Sequence, residues 1–140
     1  GQLRKIAAIL ARRKANFTAL KRRLLDGVGE HVIILDSADP DRASSYYCMT
    51  VILQGALAPQ RDALVLRLNA AGVGTSIYYP QPVPAMTYYR NKYGCARGDY
   101  PNAERISYQS IALPVGPHLD EDDMAYIAEQ FILVIKDSLP

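Results

Sequence analysis

The chain has 140 residues, a net charge of +2, 49% hydrophobic residues and 21% charged ones. That length suits one domain with its own core, and so small a net charge makes no electrostatic case for nucleic acid. No apolar run approaches the ~20 residues of a membrane span. Two cysteines, Cys48 and Cys95, give no disulfide framework, so a reduced, cytoplasmic setting is expected.

The chain opens Gly1-Gln2-Leu3 without an initiating Met and enters a helical pattern at once, so it reads as a piece of a longer protein. Leu3, Ile6, Leu10, Phe17, Leu20 and Leu24 recur at threes and fours, with Arg13 where one apolar residue is skipped. They predict one stripe of a long amphipathic helix running to about Leu25 and ended by Asp26-Gly27-Val28-Gly29. The opposite face carries Arg4, Lys5, Arg12, Lys14, Lys21 and Arg22. No aromatic residues interleave them, so the face reads as solvated or packed on another part of the protein, not as a nucleic-acid surface. Left uncovered, the apolar stripe would favour self-association.

His31 to Asp36 is a short candidate strand, and Asp39-Pro40-Asp41 a turn within the loop 37–43. Tyr46 to Leu53 is the best strand signal. Tyr47, Met49, Val51 and Leu53 alternate with Tyr46, Cys48, Thr50 and Ile52, and both sets are largely apolar, as in an inner strand covered on both faces. Pro59 suits a first helical turn, Leu64, Leu68 and Ala71 make a buried stripe, and Gly72 suits the position just past the helix end. Val73-Gly74 then leads to an expected strand, Thr75 to Tyr79. The helical crossover permits parallel pairing of the two strands, or an intervening strand of opposite direction.

Pro80, Pro82 and Pro84 alternate after this strand and exclude helix or inner strand from the segment, which must be extended with incompletely paired backbone. Met86 to Tyr93 is a candidate short helix and Gly94 to Asp99 a loop. Tyr100-Pro101 opens another helix, with Asp99 near its N-cap and Glu104 in its first turns. Ile111 to Val115 is a short strand between prolines. Asp120 is a natural N-cap for a last helix whose buried stripe is Met124, Ile127, Ala128, Phe131 and Ile135, with Lys136 at its end. The sum is an α/β domain. A small antiparallel or mixed sheet of three to four strands is packed by helices, with one long helix at its N-terminal edge.

Familiar catalytic patterns are missing. His31 and His118 belong to no metal-ligand spacing, and GxSxG, P-loop and CxxC motifs are absent. The acidic run Asp120 to Asp123 reads as helix capping, and the glycines around Val73 as a helix stop. What remains is a concentration of phenols: Tyr78, Tyr79, Tyr88, Tyr89, Tyr93 and Tyr100. Their flat faces and polar tips suit sugar, base or cofactor rings, and equally cap small cores and interfaces. Arg90, Lys92, Arg97 and Arg105 lie among them, so the region has the residues to hold a phosphate.

Several pieces in a fixed order carry a family resemblance. They are Gly1-Gln2-Leu3-Arg4-Lys5-Ile6; Leu66 with Asn69-Ala70-Ala71-Gly72-Val73-Gly74-Thr75; Tyr78-Tyr79-Pro80-Gln81-Pro82; Tyr89 with Gly98-Asp99-Tyr100-Pro101-Asn102-Ala103-Glu104; and Ile111-Ala112-Leu113-Pro114-Val115-Gly116-Pro117. Together the chain resembles the C-terminal part of the DegT/StrS-type sugar aminotransferases. The resemblance implies the small C-terminal domain of a fold type I enzyme that uses pyridoxal phosphate (PLP). It also implies a large domain upstream of Gly1 carrying the Schiff-base lysine, a nucleotide-linked keto-sugar and an amino donor as substrates, and a homodimer. The parent would then hold PLP and this chain alone would not, since Lys5, Lys14, Lys21, Lys92 and Lys136 match no Schiff-base motif of the family.

The resemblance places Tyr78, Tyr79 and Gln81 in the wall of the substrate pocket. The family pattern there is roughly His-Tyr-Pro-x-Pro-Leu-His. In this chain Tyr78 stands at the first His and Pro84 at the second, so the sugar recognised is expected to differ. The rival reading is a non-catalytic α/β module that uses the same tyrosines to hold a ligand or partner. The residue at the upstream lysine position separates the two.

Overall fold

The computed structural model describes residues 2–37, 39 and 41–140. The turn expected at Asp39-Pro40-Asp41 falls partly outside them, at Pro40. The elements run α1 (Ile6–Val28), β1 (Val32–Ile34), β2 (Met49–Leu53), α2 (Arg61–Ala70), α3 (Thr87–Tyr93), α4 (Pro101–Gln109), β3 (Ser110–Leu113) and α5 (Glu121–Lys136). The three strands form one antiparallel sheet in the order β1-β2-β3, with Ile33 opposite Ile52 and Val51 opposite Ile111. The α/β class, the small antiparallel sheet and the long N-terminal helix are as the sequence implies. No helix among the described residues is long and apolar enough to cross a membrane.

The core lies where α1 and α5 cover one face of the sheet. Phe17, Leu20 and Leu24 of α1 meet Ile127, Phe131 and Ile135 of α5 and Met49, Val51 and Leu53 of β2, all buried. Each such side chain removed from water stabilises the fold by about 1.5–3 kcal/mol. Ile52 on the other face of β2 is also buried, and α4 packs against β2 and β3, so β2 is the doubly covered inner strand. The predicted α1 stripe is buried only in its C-terminal half, since Leu3 is 82% and Ile6 49% exposed.

Helix α1 does not stop near Leu25 but continues through Gly27 to Val28. A Cβ at Gly27 would collide with the Ile132 side chain, so this glycine permits a close crossing of α1 and α5 and is not a terminator. The alternation expected from Tyr46 breaks because Tyr46 sits at φ +45°. The strand begins only at Met49. Tyr46 packs on Phe17, with ring centroids 5.2 Å apart, while Tyr47 is exposed instead of joining Met49, Val51 and Leu53 in the core.

The expected strand from Thr75 to Tyr79 is reduced to one antiparallel bridge, Ser76 with Ala112. It places Ser76 beyond β3, so β3 is the intervening strand of opposite direction. Pro84 lies in a short 3-10 turn, Val83–Ala85, at a leading position where its missing N–H leaves no bond unmade. At α4 the N-cap position is Tyr100, with Asp99 next to it and Glu104 in the first turn, as expected.

The helix ends that read correctly have their caps. Past α2, Gly72 takes φ +79°, Gly72 N–H donates to the Asn69 carbonyl (3.0 Å) and Val73 N–H to Leu68 (2.9 Å), the paired bonds of a Schellman turn. At α5, Asp120 Oδ1 accepts from Asp123 N–H (3.0 Å) while Asp123 Oδ2 accepts from Asp120 N–H (2.9 Å). This capping box accounts for the acidic run, and the described residues contain no cluster of potential metal ligands.

Candidate functional site

The tyrosine–proline segment is held at both ends and open in the middle. At its start, Asn69 Oδ1 accepts from the Thr75 backbone N–H (3.3 Å) and hydroxyl (3.1 Å). Ser76 then exchanges two backbone hydrogen bonds with Ala112, of 3.1 and 2.8 Å, which ties the segment to the edge of β3. At its far end Pro82 is buried, and its carbonyl accepts from Ala85 N–H at 2.9 Å. Between these anchors Tyr78 and Tyr79 project outward, Tyr79 with 72% of its surface exposed, across a cis Tyr78–Tyr79 peptide bond.

The predicted site residues fall on two sides of this segment. Tyr78 meets Tyr47 with ring centroids 6.1 Å apart and Tyr79 at 6.4 Å, and the Arg13 guanidinium lies over the Tyr47 ring at 5.6 Å. As hydrogen-bond partner first and second ionisable phenol next, Tyr78 raises the pKa of the Tyr47 phenol above its ordinary 10.0. Gln81 instead lines a cleft of about 790 Å³ with Pro82, Arg90, Arg97, Tyr100 and Tyr108. Neither Tyr78 nor Tyr79 lines this cleft, although only four residues, Tyr78 to Gln81, contain all three side chains.

The sequence does not reveal Tyr47 as the neighbour of Tyr78, nor Arg13 as the neighbour of Tyr47. The signal for Arg13 is present, as the polar residue interrupting an apolar stripe, but its partner Tyr47 comes from the approach to β2, remote in sequence. The other tyrosines make a separate group on α3. Tyr88 meets Tyr89 edge-on at 5.1 Å, Tyr89 stacks on Tyr93 at 6.2 Å, and Lys92 lies 5.5 Å and 5.3 Å above the Tyr88 and Tyr93 rings.

A PLP site needs a lysine directed into a sheltered pocket. Lys21 is engaged with Asp36 at 2.7 Å, Lys92 lies on its tyrosines, and Lys5, Lys14 and Lys136 are exposed. None of the five lines the Gln81 cleft. The lysines of this chain do not fit a Schiff base.

The model of the DegT/DnrJ/EryC1/StrS aminotransferase family matches residues 1–132. The dTDP-4-dehydro-2,3,6-trideoxy-D-glucose 4-aminotransferase of Saccharopolyspora spinosa is 32% identical over 132 residues, 93% of this chain and 31% of that protein. The UDP-N-acetyl-3-dehydro-alpha-D-glucosamine 3-aminotransferase of Acidithiobacillus ferrooxidans is 30% identical over 112 residues, 77% of this chain and 28% of that protein. Among solved structures, the PLP form of Spr1654 from Streptococcus pneumoniae superposes with a TM-score of 0.85 at 26% identity, covering 99% of this chain and 34% of that one. The chain thus spans about a third of the length of the relatives it matches.

Proposed function

The chain belongs to the DegT/DnrJ/EryC1/StrS aminotransferase family, and from that premise we propose that it is the small C-terminal domain of a longer, PLP-dependent sugar aminotransferase that works as a homodimer. The family match across residues 1–132 carries this reading. The substrate would be a keto-sugar linked to a nucleotide, as the dTDP- and UDP-sugar names of two relatives support. An amino donor such as glutamate would supply the nitrogen.

In this reading the cofactor supplies the electron sink, and it is held by a lysine and a pyridinium partner that these residues do not provide. The contribution of the present chain is recognition. Tyr78 and Tyr79 offer flat faces and hydroxyl tips to a sugar, and Gln81 offers an amide that donates and accepts. Pro80 and Pro82 stiffen the segment between its anchors at Ser76 and Ala85, which lowers the ordering cost of binding. The exposed Leu3 and Ile6 suit a position against the rest of such an enzyme.

The test is retention of cofactor. The longer protein, purified with PLP and passed through gel filtration, should keep the visible absorbance of bound PLP and transfer an amino group to a keto-sugar nucleotide. The 140-residue chain treated in the same way should keep none. A longer protein that retains no PLP and transfers no amino group contradicts the proposal and favours a non-catalytic binding module.

A further inference from the structure

Arg13 and Phe17 lie four residues apart on α1, so their side chains share one face of the helix. Phe17 packs on the Tyr46 ring, with centroids 5.2 Å apart, and the Arg13 guanidinium lies 5.6 Å over the Tyr47 ring. Two consecutive tyrosines thus meet the same helix face. In an extended strand they would point to opposite sides. The φ of +45° at Tyr46, uncommon for any residue but glycine, breaks the alternation and brings Tyr47 over Arg13.

Arg13 forms no ion pair among the described residues, and its Nε is shut off from water without a hydrogen-bond partner. The face of Tyr47 is the partner that its charge has there. Attraction between a guanidinium and an aromatic face strengthens as water is withdrawn, so the pair is firm where an exposed one would be loose.

Tyr78 depends on such support. Residues 77–81 make no backbone–backbone hydrogen bond among the described residues, so the backbone is tied on either side of them, at Ser76 and Pro82. Tyr78 is 41% exposed, and its neighbour Tyr79 is more exposed still. Tyr47 joins Tyr78 to the body of the fold, with centroids 6.1 Å apart and planes tilted by 58°, a favourable arrangement for two aromatic rings. The series Arg13, Tyr47, Tyr78 therefore runs from a packed helix, across the approach to β2, to the open segment.

We propose that Arg13 and Tyr47 are positioning residues for Tyr78, holding its ring in the pose that meets the sugar. The ring contact stands by itself. Its consequence for a keto-sugar rests on the proposed function.

The longer protein, with fluorotyrosine incorporated, tests both parts. Its Tyr78 fluorine resonance, assigned by its loss in Tyr78→Phe, should shift in Tyr47→Ala and stay in place in Tyr126→Phe, which alters a tyrosine of α5 outside this series. In separate half-reactions, Tyr47→Ala should lower kcat/KM for a keto-sugar nucleotide by roughly 5- to 10-fold, through KM, and leave the amino-donor half-reaction unchanged. Arg13→Gln should lower it by about 2- to 5-fold, the size of a lost cation–π contact. Tyr47→Phe keeps the ring and should keep the activity. The proposal is overturned if the Tyr78 resonance ignores Tyr47→Ala, if Tyr47→Phe is as damaging as Tyr47→Ala, or if both half-reactions fall together, as a loss of folded protein would make them. A shifted resonance in a protein that transfers no amino group would refute the aminotransferase reading and leave the ring contact standing. Amino transfer with an unmoved resonance would do the reverse.

Discussion

Tyr47 and Tyr78 are brought together from the approach to β2 and from the tyrosine–proline segment, with ring centroids 6.1 Å apart. Tyr78 raises the Tyr47 phenol above 10.0 because its hydroxyl is a partner for the neutral phenol and, once ionised, a like charge beside it. A phenol whose folded-state pKa is raised favours the fold fully below the unfolded value near 10. That contribution is lost as the pH climbs through the folded value, so it is present at neutral pH and only its loss falls in the alkaline range. In an ultraviolet titration, Tyr78→Phe should bring Tyr47 back toward 10.0, and Tyr47→Phe should remove the late-titrating phenol. Unchanged titration in Tyr78→Phe would show that the two rings are not coupled.

Asn16 fastens α1 to the segment that precedes α5. Only 4% exposed, its side-chain amide donates to the Gly116 carbonyl at 2.9 Å and the Leu119 carbonyl at 3.1 Å. Asn16→Ala should lower the unfolding free energy by about 1–3 kcal/mol in urea titration, the cost of leaving buried polar groups unpaired. Asn16→Asp should cost more than Asn16→Ala at neutral pH, since an ionised carboxylate would face two carbonyl oxygens, and the difference should shrink in acid as it protonates. Equal stability of all three proteins would remove Asn16 from the account of how the helices are held.

Two opposing effects meet at Gly27. Alanine is favoured over glycine inside a helix by about 1 kcal/mol, but a methyl group there meets Ile132, and overpacking costs about 1–3 kcal/mol. Gly27→Ala should therefore be neutral to destabilising by about 2 kcal/mol in the native background. With Ile132→Ala already present the collision is gone, and the same change should stabilise by up to about 1 kcal/mol. A double-mutant cycle reads this directly, and a coupling of zero would mean that the two helices do not meet at this point.

The helices were legible because their signals are local. Stripes at threes and fours, Gly72 past α2 and the Asp120–Asp123 pair all act within a turn or two of themselves. The inner position of β2 was legible too, from an alternation apolar on both faces. What failed depended on contacts between elements. Nothing local distinguishes Gly27 as a crossing point from Gly27 as a stop, because the deciding atom belongs to Ile132 of α5.

The rotation of Tyr46 into positive φ reversed the side chains before Met49. It turned Tyr47 from an expected core residue into the neighbour of Tyr78. Asp99 and Glu104 do sit at the start of α4, and their oxygens also accept from the backbone N–H groups of residues 96 and 98, which no local pattern foretells. For the site, the tyrosine–proline segment stands out in the sequence, while the meeting of Tyr78 with Tyr47 does not, because Tyr47 lies about 30 residues away.

The central proposal is that Tyr78 and Tyr79 recognise the sugar substrate of an aminotransferase whose chemistry is supplied from outside this chain. Measuring the two half-reactions separately in the longer protein, with Tyr79→Ala, tests it most directly. The expected result is that kcat/KM for the keto-sugar nucleotide falls by roughly 10- to 100-fold, as when a contact worth about 1.4–2.7 kcal/mol is lost, while the half-reaction with the amino donor is unchanged. Equal loss in both half-reactions, or none in either, would contradict it.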